Sequence, residues 1–205
     1  MGAPSYGTPE RSSPQGDPWP WFVRASASFR EFGARQGRYV ILGTVDGLLA
    51  VLGLVVGLAA TGQGPEVIIP ASLAVAVALA MTNGIGSYLA ESAVEFGRLA
   101  RVEEAMLRRL SGSPAEAVVV RTIMKDSLTH GSFSFLGSMV PLIPFVGLTT
   151  GHPAWEALGL SIVALVWLGA FSSYVSRRSL MASVAKMVLL GLAVAGATSL
   201  LGATA

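Results

Sequence analysis

Across residues 39–58 the chain carries a single charged side chain, Asp46, in a run otherwise made of aliphatic residues, glycines, Tyr39 and Thr44. At about 1.5 Å per residue such a run is long enough to cross the roughly 30 Å hydrocarbon core of a bilayer as a helix. No water is available there, so its backbone polar groups have to be satisfied within the segment, and a helix does this. A carboxylate at that depth costs about 2.5–3.5 kcal/mol on insertion scales, and each aliphatic neighbour returns about 0.3–0.6 kcal/mol. The helix still inserts, and the cost marks Asp46 as a candidate functional residue.

The rest of the composition agrees with a bilayer environment. Of 205 residues 52% are hydrophobic and 13% charged, against about 25% charged in an ordinary soluble domain. An all-α, polytopic membrane protein is expected, in contact with lipid and not with nucleic acid. The net charge of +2 carries little information about partners, and the lack of cysteine excludes disulfides, thiolate metal sites and Cys nucleophiles. The first apolar run begins too far into the chain for an ordinary signal peptide.

Two regions are predicted. Residues 1–37 begin with a Pro/Gly/Ser-rich stretch expected to be disordered. They continue with Trp19, Trp21, Phe22, Phe29 and Phe32 among Arg24, Arg30 and Arg35, which read either as a short interfacial helix on anionic lipid or as a mobile tail with aromatic anchors. Residues 38–205 form a membrane domain of five spans, near 40–60, 67–89, 132–148, 154–175 and 184–201. The third is the weakest because it is short and holds Pro141 and Pro144. The second helix is expected to run on into the cytoplasm to about Leu110. Ser113-Pro114-Ala115-Glu116 then starts a new helix, with Ser113 as N-cap, Pro114 at the first position and Glu116 as capping-box partner. That helix is expected to end near His130, with Gly131 separating it from the third span, so that a short cytoplasmic helical insert occupies 91–130. Arg residues precede the first span, and Lys and Arg fill the second-to-third and fourth-to-fifth connections, whereas 61–66, 149–153 and the last residues have none. The positive-inside rule then puts the N-terminus in the cytoplasm and the C-terminus outside, as in a prokaryotic cell membrane.

Polar residues inside these spans carry the functional argument. Asp46, Ala50, Gly53 and Gly57 share one helix face, and Gly43/Gly47 and Gly53/Gly57 are small-xxx-small pairs suited to close helix packing. In the second span Asn83, Ser87, Glu91 and Glu95 recur every four residues. Asp46 lies about 9 Å from the cytoplasmic end of its span and Asn83 about 9 Å from the cytoplasmic end of the next, so the two should meet at similar depth. Carboxylate and amide oxygens suit hard divalent cations, and Fe²⁺ as well. Glu103 and Glu104 sit among Arg101, Arg108 and Arg109, a pattern that reads as a salt-bridged face or as ion capture. His130 and His152 fall on opposite sides of the membrane and cannot share a site. The two prolines of the third span free backbone carbonyls, which inside a bilayer must be buried in protein or line a wet cavity; Pro141 and Pro144 are therefore placed, with Asp46, Asn83 and Ser87, along a transport path. No P-loop, zinc-protease motif or GxSxG element is present, and no nucleophile–base pair is visible, so no catalytic residue is assigned.

Asp46-Gly47-Leu48-Leu49 with Gly53-Leu54-Val55-Val56-Gly57, then Gly84-Ile85-Gly86-Ser87-Tyr88-Leu89-Ala90, then Val140-Pro141-Leu142-Ile143-Pro144-Phe145, together resemble the vacuolar iron transporter family. The segment 187–199 is similar to the family's fifth span, and the resemblance covers about residue 38 onward. It implies a five-span homodimer that exports Fe²⁺ or Mn²⁺ from the cytosol in exchange for protons, with no permanently bound cofactor. The family's first-span aspartate maps onto Asp46; in the exporter reading Asp46 is a core ligand or proton carrier, Asn83 and Glu91 are ligands, and Glu95, Glu103 and Glu104 collect the ion at the cytoplasmic mouth. The family's metal-ligating Met falls on Asn83 here, with Met81 two residues away, and its deeper second-span Glu falls among Val75 and apolar neighbours. A second reading is therefore a non-transporting scaffold or partner-binding subunit that keeps the fold.

Overall fold

The computed structural model describes residues 20–147, 151–176 and 179–204, with 20–35 as backbone only. The expectation of disorder before Pro20, the Arg177–Arg178 connection and the last residue lie outside the described residues. Five α-helices follow one another: α1 Pro20–Ala60, α2 Pro65–Met106, α3 Pro114–Met139, α4 Pro153–Ser176 and α5 Leu180–Ala203. A 3₁₀ segment, Val140–Val146, continues α3. The all-α membrane class is as expected.

Local chemistry sets several of these boundaries. Pro65 starts α2, where its missing N–H removes no helical hydrogen bond. The helix stops at Leu107, which adopts φ 50° and returns its N–H to the carbonyls of Glu103 and Glu104, three residues earlier than the expected stop near Leu110. Ser113 caps α3 by accepting from the Glu116 N–H at 3.4 Å, and the Glu116 carboxylate accepts from the Gly112 N–H at 2.5 Å. Beyond Met139, Pro141 and Pro144 cannot supply the N–H groups an α-helix needs, and the backbone tightens into the 3₁₀ segment, with both prolines buried.

Two expected breaks are absent. Residues 20–60 form one 41-residue helix, so no separate interfacial helix precedes the first span. Nothing in 20–37 forces a stop: the last proline before the span is Pro20 itself, at the helix start. Gly131 does not divide a cytoplasmic helix from the third span either; it lies inside α3. A Cβ at Gly131 would stand 2.6 Å from the Ala80 carbonyl oxygen, so this glycine serves the close approach of α2 and α3, and its neighbours keep the helix intact.

Among the described residues four helical stretches are long and apolar enough to cross a membrane: Gln36–Ala60, α2, α4 and α5. The protein is thus an integral membrane protein in contact with the bilayer. With the polar residues Asp126, Ser127, His130, Ser134 and Ser138 buried along it, α3 does not reach that composition. Together with the 3₁₀ segment it nevertheless follows α1 over the same depth. His130 lies beside Tyr39, Ser134 beside Gly47, and Leu142 and Phe145 join Val51, Val55, Ile68 and Ala157 in one buried cluster. Its polar side chains face other helices, and the hydroxyls of Ser127, Ser134 and Ser138 return to backbone carbonyls four residues earlier, at 2.7–2.9 Å.

The first span is the hub. Leu48, Val51, Leu52 and Val55 are fully buried, and α1 touches every other helix. Between helices in lipid the apolar effect contributes little, so close backbone packing has to hold them. Gly43 and Gly47 provide it toward α3: a Cβ at Gly43 would meet the His130 carbonyl oxygen at 2.5 Å, and at Gly47 the Ser134 carbonyl oxygen still closer. Gly53 and Gly57 turn toward α5, near Val194 and Thr198.

Candidate ion path between the first three helices

The polar residues of α1, α2 and α3 converge on one column. Asn83 on α2 donates through Nδ2 to Asp46 Oδ2 at 2.6 Å and to Ser134 Oγ at 2.8 Å, so one amide ties three helices together. One turn further along α2, Ser87 Oγ is hydrogen-bonded to His130 Nδ1. At the end of the column Glu91 accepts from the Tyr39 hydroxyl and from Arg38 Nη2, the latter at 3.1 Å. Helices α2 and α3 run antiparallel with the pairs 83/134 and 87/130, and the next pair in that register is Glu91 with Asp126. Arg38 lies within electrostatic reach of both carboxylates.

Asp46 itself is exposed on the outer side of α1 in the single chain. Among the described residues no Lys, Arg or His forms an ion pair with it, and the Asn83 amide is its hydrogen-bond partner. From Ala50, one turn further along the same face, a groove of about 570 Å³ runs between α1 and α5. It is lined by Ala50, Gly53, Leu54, Gly57, Val194 and Thr198. A carboxylate facing lipid at this depth is costly, whereas one facing a cavity or a second protein surface is not.

The other predicted site residues are placed as follows. Glu95 pairs with Arg98 at 3.2 Å. Glu103 accepts from the Leu110 N–H at 2.5 Å, which anchors the turn after α2. Along α2, Glu103 and Glu104 lie about 30 Å from Asn83, so neither joins the Asp46 column. Among the described residues no three acidic, His or Cys side chains are grouped as a metal site. Pro141 and Pro144 are buried in the 3₁₀ segment beyond Ser138, next in sequence to Leu142 and Phe145 of the buried cluster.

Sequence reasoning missed the α3 wall. Asp126, His130, Ser134 and Ser138 recur every four residues and are all buried, the same signal that singled out Asn83, Ser87, Glu91 and Glu95. Placing the end of a cytoplasmic helix at His130 hid it, because the row then straddles an assumed break. The His130 ring also lies 5.9 Å from that of Tyr39, and its Nε2 is buried with no hydrogen-bond partner among the described residues.

Comparison with known proteins bears on what this column is for. The pattern of the VIT family matches residues 37–111 and 93–203. An uncharacterized protein of Methanocaldococcus jannaschii is 31% identical over 166 residues, covering 80% of this chain and 86% of that protein. The chain belongs to the VIT family, a family of membrane metal-ion transporters.

Proposed function

We propose that the protein exports a divalent metal ion, Fe²⁺ or Mn²⁺, from the cytosol by exchange with protons, as a homodimer in which a second copy covers the Asp46 face of α1. The observation that carries this reading is the state of Asp46: a carboxylate on a membrane helix, hydrogen-bonded to Asn83, without a cationic partner among the described residues. Oxygen donors of this kind suit hard and borderline divalent cations. A carboxyl group carries a proton or ligates a cation with the same oxygens, so binding of one displaces the other. Alternation between the two is the coupling an exchanger needs.

Asn83 and Glu91 supply further oxygens on the cytoplasmic approach to Asp46, and Glu91 becomes available when it parts from Arg38 and Tyr39. Glu95, Glu103 and Glu104 raise the local cation concentration at the mouth. The basic loops orient the mouth to the cytoplasm and the C-terminus outward, in a prokaryotic cell membrane.

A second reading, a scaffold that keeps the fold without transport, draws support from the mouth acids. Glu95 is engaged by Arg98 and Glu103 by a backbone N–H. Uptake of Fe²⁺, Mn²⁺, Co²⁺ and Zn²⁺ into proteoliposomes separates the two. The exporter moves at least one of these faster than protein-free vesicles, and a scaffold moves none.

A further inference from the structure

The Glu91 end of the column is occupied by a positive charge of the chain itself. Arg38 Nη2 donates to the Tyr39 hydroxyl at 2.7 Å and to Glu91 Oε1 at 3.1 Å, and the Tyr39 hydroxyl donates its own proton to the same carboxylate oxygen. The guanidinium carbon stands 4.8 Å from the centre of the Tyr39 ring. Arg38 and Tyr39 are neighbours in sequence, so their side chains leave α1 about 100° apart, and the arginine folds back over the ring to make these contacts. The three side chains differ in their freedom. Tyr39 is 3% exposed and the Glu91 side chain 15%, whereas that of Arg38 is 66% exposed. Tyr39 is fixed by its packing, with the His130 ring 5.9 Å away. Arg38 is a charge on a long flexible stem with water around it, and it swings out at small cost. It leaves behind a largely buried carboxylate still bonded to Tyr39, with a second buried carboxylate, Asp126, in the same pair of the α2–α3 register. Carboxylates removed from water are stabilised by a nearby cation.

We propose that Arg38 is a tethered competitor for the ion: its guanidinium takes the cation's place at Glu91 in the resting protein, and a divalent ion enters the column by displacing it. The proposal rests on the transport reading, with Glu91 on the ion's approach to Asp46. A tethered group acts at an effective concentration on the order of millimolar, whatever the solution holds. The apparent affinity for the ion is therefore reduced by the fraction of molecules in which Arg38 has swung away. Attraction to a carboxylate scales with charge, so a divalent ion displaces the guanidinium more readily than Na⁺ or K⁺ does. Arg38 thus sets the ion concentration at which transport begins and leaves the steps at Asp46 untouched.

The test is the concentration dependence of Mn²⁺ uptake into proteoliposomes, or of Fe²⁺ uptake if wild type carries only that ion. It is measured at constant ionic strength for wild type, Arg38→Gln, Glu91→Gln and the double variant. Arg38→Gln should lower KM about threefold to fivefold, the scale of one water-exposed ion pair, with the maximal rate equal to that of wild type or higher. Such a split marks tighter binding of the ion without a change in the later steps; an arginine that only supports the fold would lower the maximal rate and leave KM where it was. In the Glu91→Gln background Arg38→Gln should change KM no further, the signature of coupling between the two residues. If Arg38→Gln does not assemble, Tyr39→Phe removes the hydroxyl that both partners share and is expected to shift KM in the same direction. An unchanged or raised KM in the assembled variant overturns the competition and leaves the transport reading standing. So does a fall in KM of equal size in the Glu91→Gln background, since the arginine would then act through its distant field alone. Wild-type protein that moves neither ion overturns the transport reading and this proposal together.

Discussion

Asp46 and Glu91 are both acidic residues at the Asn83–Ser87 row, yet their surroundings differ. Glu91 has a cation and a phenol on it, and the Arg38 side chain that reaches it is two-thirds exposed. An ion pair with that much water around it contributes about 1 kcal/mol or less. Glu91→Gln is therefore expected to leave the thermal midpoint of the purified protein within a few degrees of wild type, with metal uptake reduced less than by a change at Asp46. A loss of uptake as large as that of an Asp46 variant would contradict the proposal that Asp46, rather than Glu91, is the main ligand. At this scale the sequence was partly readable. Equal depth from the cytoplasmic ends was enough to set Asp46 opposite Asn83, because rise per residue is fixed in a helix, and the two are in fact bonded at 2.6 Å. Ser134 and His130 were not readable. They fall on either side of the break expected near Gly131, which α3 bridges as one helix, so their shared polar face did not show as one row.

The elements are held together by glycines whose roles differ with what lies opposite. At Gly47 a Cβ would overlap backbone of α3, which cannot yield as a flexible side chain would, whereas at Gly86 it would meet nothing within 4 Å. Gly47→Ala should push α1 and α3 apart at a cost of about 1–3 kcal/mol or more, seen as a lower thermal midpoint and a broadened elution profile in detergent. Gly86→Ala should be neutral or slightly stabilising, since alanine is the better helix former. Equal stability of the two variants would contradict the packing described. Helix starts were legible where the chain supplies its own chemistry, as at Ser113, Pro114 and Glu116. Gly131 was misread because a glycine that ends a helix and one that admits a neighbouring backbone look alike until the neighbour, here Ala80, is in place.

The whole molecule presents a charged residue and an open groove on the same side of α1, and this side is what a second copy would cover. Two-fold symmetry brings a residue near the axis close to its own equivalent. A single cysteine at Ala50, which lines the groove one turn from Asp46, should therefore form an oxidised dimer in native membranes, a clean assay because the chain has no other cysteine. Efficient labelling of that cysteine by a thiol reagent without any cross-linking would contradict a dimer at this face. In the proposed exchanger the coupling of metal to protons would depend on the carboxyl group at that face, and Asp46→Asn removes its ability to carry a proton while preserving its size and its capacity to hydrogen-bond. The most direct measurement is the metal-driven pH change inside dye-loaded proteoliposomes, with wild type and Asp46→Asn reconstituted at equal density. The expected result is a metal-dependent pH change for wild type and none for Asp46→Asn, with both proteins equally folded and equally dimeric; a wild-type rate in Asp46→Asn would contradict the account.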